Sequence, residues 1–199
     1  ILWFLVIALL PLLLVGYGLL RTFETELQKT VAQQISTIAD KKVDQIDSYL
    51  RERVNDALFK SQSDTVRMAT SEFARAFDRS GVNSADYRRL DAGYRDYFKR
   101  FVSSAGYYDL FLISPQGTVV YSQTHEADFA TNLYTGPYRN SGLARVTRNA
   151  IQTLESSISG LEIYAASGNA VAAFVAVPVM HQGRLMGVLA LQIDNSRVY

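Results

Sequence analysis

The chain predicts an α+β fold, with long helical segments first and an antiparallel sheet after them. Three observations carry that expectation. Residues 1–20, ILWFLVIALLPLLLVGYGLL, contain no charged side chain. Arg21 to Asp78 contain neither proline nor glycine, and their apolar residues recur at helical spacing. From Tyr108 onward the period shortens, and five apolar runs alternate with turn sequences.

The uncharged stretch 1–20 is long enough for a transmembrane helix. Its residues, at about 1.5 Å each, match the roughly 30 Å hydrocarbon core of a bilayer. Pro11 is tolerated in such helices, and Trp3 and Tyr17 lie near the two ends, where aromatic belts form. A cleaved signal peptide and a buried core helix are the alternatives. A signal's apolar region runs only about 7–15 residues, and Gly16-Tyr17-Gly18 imitates its cleavage site poorly.

Residues 21–78 predict a long stalk or signalling helix. Val31, Ile35, Ile38, Ile46, Leu50, Val54 and Leu58 share one face, opposite charged and amide residues. At roughly 80 Å such a helix outruns one small domain. Its first half is therefore expected to leave the membrane and pair with a second copy, giving a homodimer. Its second half is expected to pack along its own domain.

Residues 79–199 predict the sheet-bearing module. Ser80-Gly81-Val82-Asn83-Ser84 reads as a loop, with Ser84 capping a helix from Ala85 to about Ser103. Tyr87, Leu90, Tyr94, Tyr97, Phe98 and Phe101 on that helix read as core. Tyr108 to Ile113 and Thr118 to Ser122 form a hairpin around Ser114-Pro115-Gln116-Gly117. Thr124 to Thr135 is polar and aperiodic, and Gly136-Pro137 turns toward a short helix capped by Ser141. Leu161–Ala165, Ala172–Met180 and Leu185–Asp194 complete a five-stranded sheet as a consecutive meander. The small residues Ala172, Ala173, Ala176, Gly187 and Ala190 leave room on it for a helix or a ligand.

Composition narrows the function classes. A net charge of +1 selects no nucleic-acid partner, and Arg88-Arg89 and Lys99-Arg100 are isolated pairs. With no cysteine there is no disulfide framework and no cysteine-based zinc site. His125 and His181 are far apart, and His125-Glu126 lacks the second histidine of a zinc motif, so neither a metal nor another cofactor is expected. Glu126 and Asp128 suit acid–base work on paper, but an exposed polar loop is the commoner outcome. No nucleophile elbow, phosphate loop or dinucleotide fingerprint occurs, and no enzyme activity is expected of this segment.

Between Gly106 and Leu143 the chain resembles the Cache family, the PAS-like extracytoplasmic sensor domains of bacterial chemoreceptors, sensor kinases and cyclases. The likeness rests on GYYDLFLI, on G-x-V-V-Y at Gly117–Tyr121, on E-x-D-F-x-T-N-L at Glu126–Leu133 and on G-P-Y-x-x-S-G-L-A at Gly136–Ala144. The closing strands around Val177-Pro178-Val179 and Gly187–Ile193 also fit, so the resemblance covers essentially the whole chain. It implies the membrane-distal module of a double Cache receptor in a bacterial inner membrane, with the sensor on the periplasmic side. The second module, second span and output domain of such receptors are missing, and with Ile1 in place of Met the chain reads as a piece of a longer one.

The resemblance also implies a small-molecule pocket between the sheet, the loop after the hairpin and the short helix. Mapped onto this chain, its wall draws on Tyr121, Gln123, Asp128, Phe129, Asn132, Tyr138, Tyr164 and Phe174. Asp128 would meet a ligand cation, and Asn132 offers both donor and acceptor. Asp128 and Asn132 equally suit local hydrogen bonds to loop backbone, and the tyrosines suit core. Asp109, inside the first strand, is a further contact or the partner of a nearby arginine. Amino-acid receptors of the family carry Arg-x-Trp-Tyr, whereas the only tryptophan here is Trp3, which speaks against a standard amino-acid site. Two readings follow: a ligand sensor, and a dimerising spacer with an unused pocket.

Overall fold

The computed structural model describes residues 2–194. The chain divides into two units, 1–49 and 50–199. The first unit is the N-terminal part of α1 (Leu2–Ser61), on which Ile35, Ile38, Val43 and Ile46 are exposed. Among the described residues no helix is long and apolar enough to cross a membrane. The span expected over 1–20 falls almost wholly on side chains outside the described residues.

In the second unit the helix expected to run unbroken through residue 78 stops at Ser61, and α2 (Asp64–Ser80) starts afresh. The break is a capping signal. The Ser63 hydroxyl accepts from the Val66 N–H at 3.3 Å, and Asp64 occupies the first turn, where an acid favours the helix dipole. No proline or glycine is needed to end a helix here. α2 buries Val66, Ala69, Thr70, Phe73 and Ala76 against the sheet, so it packs with the sheet-bearing module.

α3 (Ala85–Ala105) begins at Ser84, whose hydroxyl accepts from the Tyr87 N–H, and ends at Gly106 in the left-handed conformation. Its aromatic stripe is core in part. Tyr87 and Phe98 are buried, while Tyr94, Tyr97 and Phe101 are half-buried.

The sheet contains β1 (Asp109–Ile113), β2 (Val119–Ser122), β3 (Ser157–Ile158), β4 (Glu162–Tyr164), β5 (Ala170–His181) and β6 (Arg184–Asp194), with α4 (Gly142–Thr153) between β2 and β3. Its order is β2-β1-β6-β5-β3, with β4 also on β5, and every pairing is antiparallel. The sheet therefore has six strands where five were expected. The extra strand, β3, is two residues long, too short to show an alternating pattern. The expected meander is present as β4-β5-β6, and Ser141 caps α4 as anticipated.

Strand alternation sends successive side chains to opposite faces. Phe111, Ile113, Val188, Ala190, Ala172, Phe174 and Ala176 join Leu143, Ala144, Val146 and Ala150 of α4 in one core. On the opposite face Tyr121 meets Phe73 of α2 and Phe98 of α3, with ring centroids at 4.8 and 5.1 Å. Gly187 has no room for a side chain between the β1 backbone and α2. A Cβ there would lie 2.4 Å from the Ile113 carbonyl oxygen and 2.7 Å from the Thr70 methyl. Gly187→Ala is accordingly expected to destabilise the fold by about 1–3 kcal/mol, read as a lower midpoint in thermal or urea unfolding. An unchanged midpoint would show that α2 is not held against β6.

Candidate functional site: a buried acidic cluster on the α4 face

The site grows from Asp109, the first residue of β1. Odd positions of this strand face α4, so its carboxylate enters the core with Phe111 and Ile113. Asp109 is fully buried. Its Oδ1 accepts from the N–H groups of Leu110, Gln123 and Thr124 at 2.6, 2.8 and 3.1 Å. Its Oδ2 accepts from the Ser122 and Thr124 hydroxyls at 2.9 and 2.5 Å. No arginine is among these partners; the arginine pairing considered for Asp109 is replaced by hydroxyl and backbone donors. Burial pushes the carboxyl up to about 6, against the pull of the Thr124, Ser122 and Leu110 bonds, and the charge of Asp128 adds to the rise.

Asp128 is the second buried acid. Tyr164 donates to its Oδ2 at 2.6 Å, whereas its Oδ1 is buried with no hydrogen-bond partner. Burial raises its pKa, the Tyr164 bond and the backbone N–H groups of Asp128 and Phe129 oppose the rise, and the nearby Glu126 charge adds to it. Burial and Asp128 together push the Tyr164 hydroxyl far above the ordinary tyrosine range, so it stays a donor. Tyr164 also packs edge-on against Phe174 at 4.8 Å and near Tyr138 at 5.9 Å.

Glu126 closes the cluster. It accepts from Tyr108 and from Ser167, each at 2.5 Å, and the Gln192 amide donates to Ser167 at 3.1 Å. Ser122, Thr124, Ser167 and Gln192 escaped the sequence reading. Gln192 had a signal, as the one amide in the apolar run Leu185–Ile193. Among the described residues no lysine, arginine or histidine forms an ion pair with Asp109, Glu126 or Asp128. None of the described residues forms a group of three or more metal-ligating side chains placed for a metal ion. Chemically, the cluster is rich in acceptors and suits a donor or a cation.

The eight expected pocket residues do not all meet. Asp128, Tyr138, Tyr164 and Phe174 converge on the α4 face. Tyr121 does not, because β2 turns it toward α2 and α3 while its neighbour Ser122 faces Asp109. Gln123 accepts the Tyr121 hydroxyl at 2.6 Å. Phe129 stacks on His125 at 4.1 Å and lies 6.1 Å from Tyr87 of α3. Asn132 holds the turn. Its Nδ2 donates to Gln116 O and Thr118 Oγ1, and its Oδ1 accepts from Tyr134 and Thr135. The local hydrogen-bonding role is thus the one Asn132 adopts.

A glutamate latches the cover of the site. Glu162 of β4 accepts from the first N–H of α4, at Gly142, and from Arg145 one turn later. That pairing ties α4 to the strand that ends in Tyr164.

No protein-family model matches the chain, and no curated protein matches it. Solved structures do match its fold. One is the sensor domain of the Vibrio cholerae histidine kinase DctB, at 16% identity and TM-score 0.55, covering 83% of this chain and 58% of that one. Another is the ligand-binding domain of the Pseudomonas aeruginosa amino acid chemoreceptor PctC in complex with GABA, at 15% identity and TM-score 0.53, covering 83% and 62%. A third is the Escherichia coli DcuS sensor domain, at 13% identity and TM-score 0.52, covering 77% and 93%. The likeness is one of fold: this chain shares the fold of these three domains. The α+β architecture expected from the resemblance, helices packed on an antiparallel sheet, is the one these matches share. The chain spans about three fifths of the DctB and PctC domains and nearly all of the DcuS domain.

The raised carboxyl gives the sensor fold a pH signature. The folded Asp109 holds its proton to about 6, against 3.8 when unperturbed, so the folded form binds protons more tightly than the unfolded chain. The cost of the buried charge is fully present above about 6 and is relieved as pH falls through the window between these values. Relative to Asp109→Asn, the wild-type protein should lose about 3 kcal/mol of stability on going from acid to neutral pH, a figure that follows from the size of the shift. Denaturant titrations of both proteins across that window test it. Parallel pH profiles would mean that the carboxylate is no more costly folded than unfolded.

Proposed function

We propose that the chain is the extracytoplasmic sensing part of a bacterial transmembrane receptor and that it binds a small molecule at the acidic cluster. One observation carries this reading. Asp128 is fully buried, and one of its carboxylate oxygens meets no donor of the chain at hydrogen-bond geometry, which leaves it open to a donor from a ligand or from water. The surrounding acids disfavour an anionic ligand and favour one that presents N–H donors or a positive charge. Tyr138, Tyr164 and Phe174 supply an aromatic wall. The sensor fold shared with DctB, PctC and DcuS supports the reading.

In this reading the closed cluster is the unliganded arrangement. A ligand donor completes Asp128 Oδ1 beside the Tyr164 bond to Oδ2 and is admitted by movement of α4 and of the loop carrying Asp128. Signalling requires that the ligand prefer one arrangement of these elements over the other. Relay runs through the helices packed on the sheet toward an output outside this chain. Residues 1–20 anchor the receptor in the inner membrane. A second copy covers the exposed Ile35, Ile38, Val43 and Ile46 of α1. Ile38→Glu should weaken self-association in sedimentation measurements; equal association of both proteins would remove α1 as the dimer contact.

The spacer reading keeps one observation in its favour. Tyr164, Phe174 and Leu143 are buried beside the sheet, as core residues are. A thermal-shift screen of the full chain separates the two readings, using amines, amino acids, organic acids, purines and sugars. A ligand at about 100 times its Kd adds about 2.7 kcal/mol, a shift of several degrees. Asp128→Asn should abolish that shift while leaving the unliganded protein at least as stable. A flat screen on folded protein favours the spacer.

A further inference from the structure

We propose that His125 and Arg95 form an acid-sensitive clasp that holds the segment 123–130 against α3, and that protonation of His125 releases it. The inference concerns the opposite face from the acidic cluster and does not rest on ligand binding there.

The segment is built as a hinged flap. His125 and Ala130 both have positive φ, 55° and 62°, a region that side-chain-bearing residues seldom adopt. The four residues between them include Glu126 and Asp128, which reach the acidic cluster. Two residues held in a sparsely populated conformation need contacts to keep them there. Ala130 is held by β2, through its N–H to Val119 O at 3.1 Å. His125 is held by its N–H to Ser122 Oγ at 2.9 Å, by its stack on Phe129 and by Arg95.

Arg95 makes the clasp conditional on proton occupancy. It is fixed by two bonds to Asp91 at 2.7 and 2.9 Å and by donation to the Gln123 carbonyl at 2.9 Å. Its Nη2 lies 2.8 Å from His125 Nε2. Nδ1 of the same ring lies 3.3 Å from Nη2. A guanidinium has no acceptor, so the ring nitrogen that receives it must be bare, and only the neutral ring has a bare nitrogen. Adding a second proton would place two N–H groups and two positive charges in contact. Asp91 offers little relief. Its Oδ1 is 3.7 Å from Nε2 and is already bonded to Arg95.

The other groups facing the ring do not replace the lost bond. Tyr121 of β2 approaches edge-on at 6.2 Å with its hydroxyl committed to Gln123. Tyr87 is committed to the Val120 carbonyl, and Arg88, which donates to the Asn83 carbonyl at 2.6 Å, adds a further positive charge to the same cleft. Glu126, the next residue, is engaged by Tyr108 and Ser167. A cleft of about 460 Å³ between α3 and the His125–Phe129 pair opens the ring to protons from solvent. Burial first and Arg95 second hold the histidine below its ordinary range, with Asp91 opposing. The clasp is therefore complete above the ordinary histidine pKa, and its contribution is lost as pH falls from there through the depressed folded value.

Amide hydrogen exchange of the full chain, corrected for intrinsic rates, tests the clasp. Between about pH 7.5 and about pH 5.5 the wild-type amides of 123–130 should lose protection on the order of tenfold, while those of β5 and β6 keep theirs. His125→Gln retains an acceptor for Arg95 without a titrating group, and its segment should stay protected at both pH values. Constant protection of the wild-type segment overturns the clasp without reference to any variant. So does an equal acid-induced loss in His125→Gln, which would assign the change to the carboxylates instead.

Discussion

The Asp109 carboxylate sets the corner on which the α4 face depends. A carboxylate taken out of water is tolerable only when donors surround it, and five donors do so here. Four of them come from Ser122, Gln123 and Thr124, where β2 ends. The chain is thereby forced to turn at that point rather than extend the hairpin. The turn delivers Glu126 and Asp128 back across the sheet and Phe129 toward α3. One buried charge thus decides where the loop after β2 goes on both sides.

Much of the fold was legible because its signals are local. Ser84 and Ser141 cap helices where a serine precedes an apolar-periodic run, and both are caps in the structure. The hairpin and the last three strands alternate clearly with turn sequences. The misses are also local in cause. Ser63-Asp64 starts a helix, but without proline or glycine the sequence reads as one continuous run. The two residues of β3 are too few for any period.

The site was only half legible, and strand parity explains the division. Tyr121 and Ser122 are adjacent in β2, yet one faces the helices and the other the acidic cluster. A tyrosine attracts attention as a ligand wall, whereas a serine beside it does not. A bulge in the β1–β2 pairing, between Leu112 and Ile113, further obscures which residues share a face. Ser167 and Gln192 lie far from Asp128 in sequence and meet Glu126 only through the pairing of β5 with β6. Composition carries no trace of that meeting.

Because β1, β2, β5 and β6 present side chains to two separate cores, the sheet acts as a partition. The residues that would choose a ligand lie on one side of it, and those that grip α2 and α3 lie on the other. Substitutions in the aromatic wall of Tyr138, Tyr164 and Phe174 therefore need not disturb the packing of Phe73, Phe98 and Tyr121. A lineage built on this partition can change what it recognises and inherit its transmission unchanged.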